Sequence, residues 1–233
     1  MKKIISTFMA TLFVWSSISM LNAQTEQSSD QKARFGFKIS PALSWIRPDF
    51  GNAAAPLVIE NAGWRTGFSY GVHLEFLMLD NLYLQTGLDI QSHSAAIRAS
   101  SLDLSSTNVY KMRYVEIPVL FKARTNEIGY FRYFGQFGFG FSGRTRVSVN
   151  ETVRIMNQEV KTEISNANSR MNFFRVGMIF GLGAEYSLSG NTALVMGVTY
   201  NNGITNMLRR QDNTTYDERG FANFLQLNLG ILF

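Results

Sequence analysis

The chain contains eight stretches in which apolar residues alternate with polar or small ones, and this alternation constrains the fold more than any other feature. A side-chain period of two is typical of β-strands, whose successive residues point to opposite faces of a sheet. The clearest stretch, FLQLNLGILF at residues 224–233, places apolar side chains at every second position through Phe233. The eight stretches cover residues 34–46, 66–79, 82–91, 114–123, 131–144, 171–188, 192–201 and 224–233.

The connections between these stretches alternate strictly between short and long. The short connections are residues 80–81, 125–128 and 189–191, and the long ones are 47–65, 97–109, 145–170 and 202–220. This alternation is typical of outer-membrane barrels, which have short periplasmic turns and long extracellular loops. The sequence therefore predicts an all-β fold, an eight-stranded antiparallel up-and-down transmembrane β-barrel, with both termini at the periplasmic rim.

The alternation does not by itself say which face of the barrel is inside. A secreted lipocalin-like barrel would turn its apolar face inward around a ligand, whereas a membrane barrel would turn it outward. Eight strands leave an interior that side chains just fill, and the apolar face is bulky, since the chain has 19 Phe and 9 Tyr. The opposite face is rich in Gly and short polar residues, which fit inside. We therefore expect the apolar face to contact lipid, where barrel closure satisfies the backbone hydrogen bonds.

The first 23 residues have the pattern of a secretory signal peptide. Lys2 and Lys3 precede a mostly apolar run at 4–21, and Ala23 stands before the expected cleavage site. We expect a polar linker at 24–33 and the barrel at 34–233. Removing the leader removes two lysines, so the formal net charge falls from +5 to +3. The chain has no cysteine, which excludes disulfides, and shows no basic cluster that would indicate nucleic acid.

Nine charged residues fall on the face that is predicted to line the lumen. Five are positive and four are negative, which favours an internal ion-pair network over a charged pore, because an unpaired buried charge is costly. A filled lumen would leave the long loops as the binding surface, with a narrow channel as an alternative. The nine residues are Lys38, Glu75, Asp89, Glu116, Lys122, Arg132, Arg144, Arg175 and Glu185.

A small barrel enzyme acting on lipid or peptide is the rival functional class. The chain has two histidines, His73 and His93, and Ser92 and Ser94 flank the second, so a serine–histidine–acid arrangement is conceivable. No spacing places these serines beside a base, and we expect no catalytic site and no cofactor. Three acidic residues of the last long loop suit a divalent cation, but neighbouring arginines neutralise them and we expect no metal site. They are Asp212, Asp217 and Glu218.

Two further groups of residues indicate partners. Lys111 and Arg113 extend the lipid-facing row of the fourth stretch toward the outer rim, where cations suit lipopolysaccharide phosphates, with a plain interfacial anchor as the alternative. The last strand carries Leu229, Ile231 and Phe233, which resemble a terminal signal read by the barrel-insertion machinery. Aromatic residues near the strand ends predict two interfacial girdles. These are Trp45, Tyr70 and Tyr200 at the outer rim, and Phe35, Tyr133, Tyr186 and Phe233 at the periplasmic rim.

The stretch YVEIPVLFKARTNEIGYFRYFGQFGFGF, residues 114–141, resembles the strand-turn-strand hairpin of the PorT-like outer-membrane β-barrel family of Bacteroidota. The opening RFGFKISPALSW and the closing LQLNLGILF are similar to the first and last strands of that family, so the resemblance covers nearly all of 34–233. The resemblance implies an eight-stranded barrel in the outer membrane of a Gram-negative cell. The founding member of that family is an accessory of the type IX secretion system, while most members have no assigned task. We expect a structural or binding role at the cell surface, for which the resemblance suggests an accessory role in an envelope or type IX secretion assembly.

Overall fold

The computed structural model describes residues 32–51, 58–101, 104–155, 158–209 and 217–233, which belong to one compact unit, 32–233. The predicted signal peptide and nearly all of the predicted linker lie outside the described residues. The strands are β1 (Ala33–Gly51), β2 (Val58–Asn61), β3 (Arg65–Leu79), β4 (Leu82–Ser100), β5 (Leu104–Arg124), β6 (Phe131–Ile155), β7 (Gln158–Ile164), β8 (Phe174–Ser189), β9 (Thr192–Gly203) and β10 (Asp217–Leu232). One 3-10 turn covers Asn168–Arg170. Within the described residues, no helix is long and apolar enough to cross a membrane.

Eight of the strands close into a barrel. β1 pairs with β3 on one side and with β10 on the other, and the antiparallel order then runs through β4, β5, β6, β8 and β9 back to β10. Closure gives every strand of the ring two neighbours, so the barrel itself has no free edge. The predicted all-β, eight-stranded antiparallel up-and-down barrel is confirmed.

The three short connections lie together at one end of the barrel, which we call the short-turn end. Each of them reverses direction through a residue in the left-handed region, Asn81 at φ 65°, Gly129 at φ 68° and Gly190 at φ 57°. Asn and Gly tolerate this conformation, which explains why such tight turns occur at these positions. The opposite end is the long-hairpin end.

The long connections differ from the prediction, because two of them consist largely of β-strand. Segments 97–109 and 145–170 were expected to be loops, yet β4, β5 and β6 continue far past the barrel and pair with each other there. β2 adds to this extension by pairing with β4, and β7 adds to it by pairing with β6. We call this five-stranded extension the ribbon, formed by β2, β7 and residues 93–100, 104–113 and 145–155.

The outer face of the barrel is an exposed apolar belt with aromatic clusters near both ends. At the long-hairpin end, Trp45 stacks on Trp64 and on Tyr200, with ring centres 5.2 Å and 6.1 Å apart. At the short-turn end, Phe35 stacks on Phe233 at 5.3 Å. The apolar face thus points outward and the polar face inward, which is the arrangement that the volume argument predicts.

The polarity of the two faces inverts along β5. From residue 113 toward the ribbon, charged side chains such as Arg113 point outward. The inward side chains there, such as Met112 and Tyr110, are apolar and buried. In the barrel proper the reverse holds, with Val119 outward and Lys122 inward. The same inversion occurs at matching heights on β1, β4, β6 and β10. We call this height the inversion level, marked by Trp45, Ser92, Arg113, Arg146 and Asn223.

Candidate functional site

At the short-turn end of the lumen, two buried glutamates accept hydrogen bonds from three buried cations. Lys122 Nζ lies 2.6 Å from Glu75 Oε1 and 2.5 Å from Glu185 Oε1. Arg34 joins the same two carboxylates at 2.5 Å and 3.0 Å. Arg124 lies 3.3 Å from Glu185. Each of the five residues is at most 6% exposed, so each charge depends on the others for compensation.

Aromatic rings also lie against the three cations of this cluster. The guanidinium carbons of Arg34 and Arg124 lie 5.2 Å and 4.6 Å from the centre of the Tyr83 ring, and Arg124 also hydrogen-bonds the Tyr83 hydroxyl. Lys122 Nζ lies 4.2 Å from the centre of the Phe134 ring. The negative faces of these rings attract cations within about 6 Å. Among the described residues, these ring faces supplement the two carboxylates that the three cations share.

A second polar layer surrounds Glu116 in the middle of the lumen. Gln91 Nε2 and Ser142 Oγ each donate to the Glu116 carboxylate at 2.7 Å. Asn201 Nδ2 donates to Glu116 Oε2 at 3.2 Å, and Arg175 Nη1 lies 3.4 Å from the same oxygen. Arg175 also donates to Asn201 Oδ1 at 2.7 Å. The carboxylate is thus surrounded by donors from four strands of the barrel, β4, β6, β8 and β9.

A separate ion pair joins β1 to β4 near a small cavity. Lys38 Nζ lies 2.7 Å from Asp89 Oδ2. The neighbouring cavity is lined in part by Lys38, His73, Gln85 and Asn228 and has a volume of about 30 Å³. That volume holds one or two water molecules. It is far too small for an organic substrate or a hydrated ion.

An apolar cluster, which we call the plug, fills the lumen at the long-hairpin end. Met171, which precedes β8, and Leu208, which follows β9, form a β-bridge there. The side chains of the plug are almost completely buried. They belong to Ile46, Ala95, Ile97, Tyr110, Met112, Tyr114, Val147, Val149, Ala167, Met171, Met207, Leu208, Ala222 and Phe224.

The nine residues predicted to line the lumen do not all meet there. The ion pairs and hydrogen bonds described above include Lys38, Glu75, Asp89, Glu116, Lys122, Arg175 and Glu185. Arg132 lies outside this network, because it stands at the start of β6 and pairs with Glu127 at 2.6 Å beside the short turn. Arg144 lies opposite Tyr114 at the inversion level, with buried Nε and Nη1 that have no partner among the described residues.

The sequence reasoning missed Arg34 and Arg124, which complete the cluster at the short-turn end. Both stand on the inward parity of their strands, like Lys38 on β1 and Lys122 on β5. They were overlooked because Arg34 is the first residue of its predicted stretch, 34–46, and Arg124 lies one residue beyond the end of its stretch, 114–123. Continuing the alternation of inward-facing residues to both ends of each strand would have identified them.

The residues of the conceivable catalytic arrangement do not come together. His93 points inward, where its ring stacks on Phe224 with centres 3.9 Å apart, whereas Ser92 and Ser94 point outward. Opposite faces of one strand cannot supply a nucleophile and its base. The described residues hold no group of three or more His, Asp or Glu suited to a metal ion. Asp212 lies outside the described residues, as do the side chains of Asp217 and Glu218.

On the outer surface, Lys111 and Arg113 lie exposed on β5 just beyond the apolar belt, in the row where the sequence places them. The structure adds Arg146, which lies on β6 directly opposite Arg113. Sequence reasoning missed Arg146 because it assigned this position to a loop. We call Lys111, Arg113 and Arg146 the basic patch.

Comparison with known proteins agrees with this architecture. The family model described as outer membrane protein beta-barrel domain matches residues 22–209. The chain belongs to this family. It is therefore an integral outer-membrane β-barrel protein, and its exposed apolar belt contacts lipid.

Several solved outer-membrane barrels are similar to this chain at low identity. Neisserial surface protein A is 11% identical, with a TM-score of 0.48, and the match covers 88% of this chain and 98% of that one. OprG from Pseudomonas aeruginosa is 13% identical, with a TM-score of 0.45 and the same coverage. The outer membrane protease OmpT from Escherichia coli is 12% identical, with a TM-score of 0.34, covering 90% and 99%. No curated protein matches the chain.

Proposed function

We propose that this outer-membrane barrel is a non-conducting binding protein that presents its ribbon to a partner at the cell surface. The observation that carries the proposal is the filled lumen. Charged and polar groups pair within the barrel, and the plug occupies its long-hairpin end. A barrel of this kind offers no interior for a ligand, so the accessible binding surface is the ribbon.

The proposal includes an orientation and a type of partner. The ribbon faces the cell exterior and the short turns and both termini face the periplasm, as is usual for bacterial outer-membrane barrels. The partner is a protein of an envelope or type IX secretion assembly, which the resemblance to the PorT-like family of Bacteroidota supports. Surface proteolysis of intact cells tests the orientation, because cleavage in the ribbon is expected only when it is extracellular.

The free edge of the ribbon is its best candidate for protein binding. Ser101 N donates to Leu104 O across β4 and β5. Residues of an antiparallel strand bond alternately to their two neighbours, so this bond sets the phase across β5, β6 and β7. By this alternation, the backbone N–H and C=O groups of Glu159, Lys161 and Glu163 point away from β6. No described strand pairs with that side of β7, and an extended segment of a partner can add there as a further strand.

A proline substitution tests this edge without disturbing the hairpin. Lys161→Pro removes a backbone N–H that points away from β6 and is not hydrogen-bonded to it. Proline is tolerated on edge strands. Lys161→Ala is the matched control, since it removes the side chain and keeps the amide. A photo-crosslinker at Glu163 is expected to capture an envelope protein in cells carrying the parent chain or Lys161→Ala, but not Lys161→Pro. Equal capture by all three would contradict partner addition at β7.

A channel and an enzyme remain as competing functions, and both have direct tests. We expect no stepwise ion conductance in planar bilayers, because the plug and the paired charges fill the lumen among the described residues, where the cavity beside Lys38 is water-sized. Reproducible conductance steps from folded protein would favour the channel. We also expect unchanged lipid and peptide modification in a deletion strain. A lost modification would favour the enzyme.

The terminal strand is proposed to carry the signal for the barrel-insertion machinery. Phe233 packs on Phe35, and Phe233 N donates to Phe35 O at 2.8 Å, so the last residue also contributes to barrel closure. Deleting Phe233 is expected to lower the amount of heat-modifiable barrel in the outer membrane. Phe35→Ala separates the two roles, because it removes the ring contact and leaves Leu229, Ile231 and Phe233 in place. Normal assembly of the deletion variant would contradict the signal.

A further inference from the structure

The basic patch lies on two adjacent cross-strand rows just beyond the lipid-facing belt. One row places Arg113 of β5 directly opposite Arg146 of β6, and the next row places Lys111 opposite Ser148. On the other side of β5, the same rows continue into Ser92 and Ser94 of β4. The patch is therefore bordered by small hydroxyl side chains on both sides and by no acid within these rows.

A β-bulge brings Arg146 to this face. The β5–β6 register shifts between Arg113 and Tyr114, and Thr145 Oγ1 donates to Arg113 O at 3.0 Å inside the bulge. A one-residue slip reverses the direction of every following side chain. Without the extra residue, Arg146 would point toward the plug. The bulge thus places the two arginines directly opposite each other on the outer face.

Two opposed arginines are unfavourable for the sheet by themselves. Directly opposite residues have Cβ atoms about 5 Å apart, and like charges at such positions destabilise the pairing. Among the described residues, no carboxylate lies within ion-pair distance of any member of the patch. An anion placed between the two guanidinium groups would remove this repulsion.

Other cations of the ribbon show the contrast. Arg98 lies 3.8 Å from Glu60, and Arg154 and Lys161 lie 2.7 Å and 2.8 Å from Glu159. These cations lie farther from the barrel and have carboxylate partners. The basic patch, by contrast, has no carboxylate partner among the described residues. Its three cations lie next to the belt, at the level of the polar heads of the surrounding lipid.

We propose that Lys111, Arg113 and Arg146 bind the phosphate groups of a phosphorylated glycolipid in the leaflet that surrounds the barrel just below the ribbon. Arg113 and Arg146 form a two-arginine fork that suits a phosphate, and guanidinium groups bind phosphates through paired hydrogen bonds. Lys111 lies on the next row and adds a third charge for a second phosphate. The acyl chains lie against the belt below, beside Val115 and Ile117. The lipid class rests on the proposed orientation of the ribbon.

The first test measures lipid binding by the purified full-length chain in nanodiscs of neutral phospholipid. The probe is lipid A with both phosphates, and its dephosphorylated form is the reference. Replacing all three patch residues with Gln is expected to lower the affinity for the phosphorylated probe by about a hundredfold, because each cation near a membrane surface contributes roughly 1 kcal/mol and about 1.4 kcal/mol corresponds to a factor of ten. Arg98→Gln is the matched control and should bind like the parent. Equal affinity of the triple variant and the parent would overturn the proposal.

A second variant excludes a folding defect as the cause. Arg113→Glu places a carboxylate opposite Arg146, so it is expected to make the folded barrel more resistant to urea while it weakens binding of lipid A. A variant that gains stability and retains lipid binding would contradict the role of this arginine pair. Inorganic phosphate is expected to compete only at far higher concentration than the lipid. Competition by phosphate at the concentration of lipid A would point to a free-anion site and overturn the lipid assignment.

This measurement separates the inference from the proposed function. Binding in nanodiscs does not depend on which end of the barrel faces the cell exterior, nor on a protein partner of β7. Loss of the crosslink at Glu163 would leave the lipid result intact. Conversely, loss of lipid binding would leave the ribbon as a protein-binding surface.

Discussion

Side chains alternate between the two faces along the whole of β5, but the apolar ones face outward in the barrel and inward in the adjoining part of the ribbon. Within the barrel, the outward row contains Val119 and Ile117 and the inward row contains Glu116 and Lys122. Within the part of the ribbon next to the barrel, the outward row contains Lys111 and the inward row contains Tyr110 and Met112. The solvent explains the difference. Lipid surrounds the barrel, so apolar groups face out and polar groups pair inside, whereas an aqueous surrounding favours a buried apolar interior in the ribbon.

This contrast also shows how each half is stabilised. In the lipid-embedded half, the outward apolar residues contribute little hydrophobic free energy to stability, because lipid rather than protein covers them. The interior of this half depends on paired charges and hydrogen bonds. In the ribbon half, burial of the plug removes apolar area from water and contributes about 25 cal/mol per Å². The inversion level is therefore the expected membrane boundary at the long-hairpin end.

The largest expected effect comes from breaking the charge cluster at the short-turn end. Lys122→Met removes the cation that lies 2.6 Å from Glu75 and 2.5 Å from Glu185, and leaves two buried carboxylates short of one partner. We expect a loss of about 3–5 kcal/mol in the free energy of unfolding. The measurement is a reversible urea titration of the barrel in phospholipid vesicles.

Arg132→Met is the control for this prediction. Its partner Glu127 lies at 2.6 Å, but both side chains are partly exposed beside the short turn. An exposed ion pair contributes about 0–1 kcal/mol. Equal losses for Lys122→Met and Arg132→Met would mean that water reaches the inner cluster, and the description of a closed lumen would fail.

The next effect tests whether lipid or water faces each half of β5. Val119 points outward within the belt, and Val119→Arg is expected to cost about 2–4 kcal/mol if it lies near the midplane of the bilayer. Val109 points outward in the ribbon, between Ala96 and Asn150. Val109→Arg should cost less than half as much in the same titration. A reversed order would place the lipid against the ribbon.

The inversion also explains how much of the structure the sequence could predict. The eight barrel strands and most of the inward charges followed from the period-two alternation, because lipid outside and a narrow lumen inside impose it. On β5 the apolar residues change from odd positions, as at Val115, to even positions, as at Tyr114 and Met112. A change of parity looks like the end of a strand, so the ribbon was predicted as loops. Arg146 required in addition the bulge, which only the pairing register reveals.

The smallest effect compares the same substitution in the plug and in the belt. Ile97 is 5% exposed within the plug, whereas Ile117 is 49% exposed on the outward face. Ile97→Val is expected to cost about 0.5–1.5 kcal/mol, because it removes a buried methylene and leaves a cavity. Ile117→Val should cost less, since lipid chains fill the vacated space and no apolar area returns to water. Urea titrations of both variants in vesicles decide the point. A larger loss for Ile117→Val would mean that the belt packs against protein rather than lipid, and an oligomer would then have to be sought along β5.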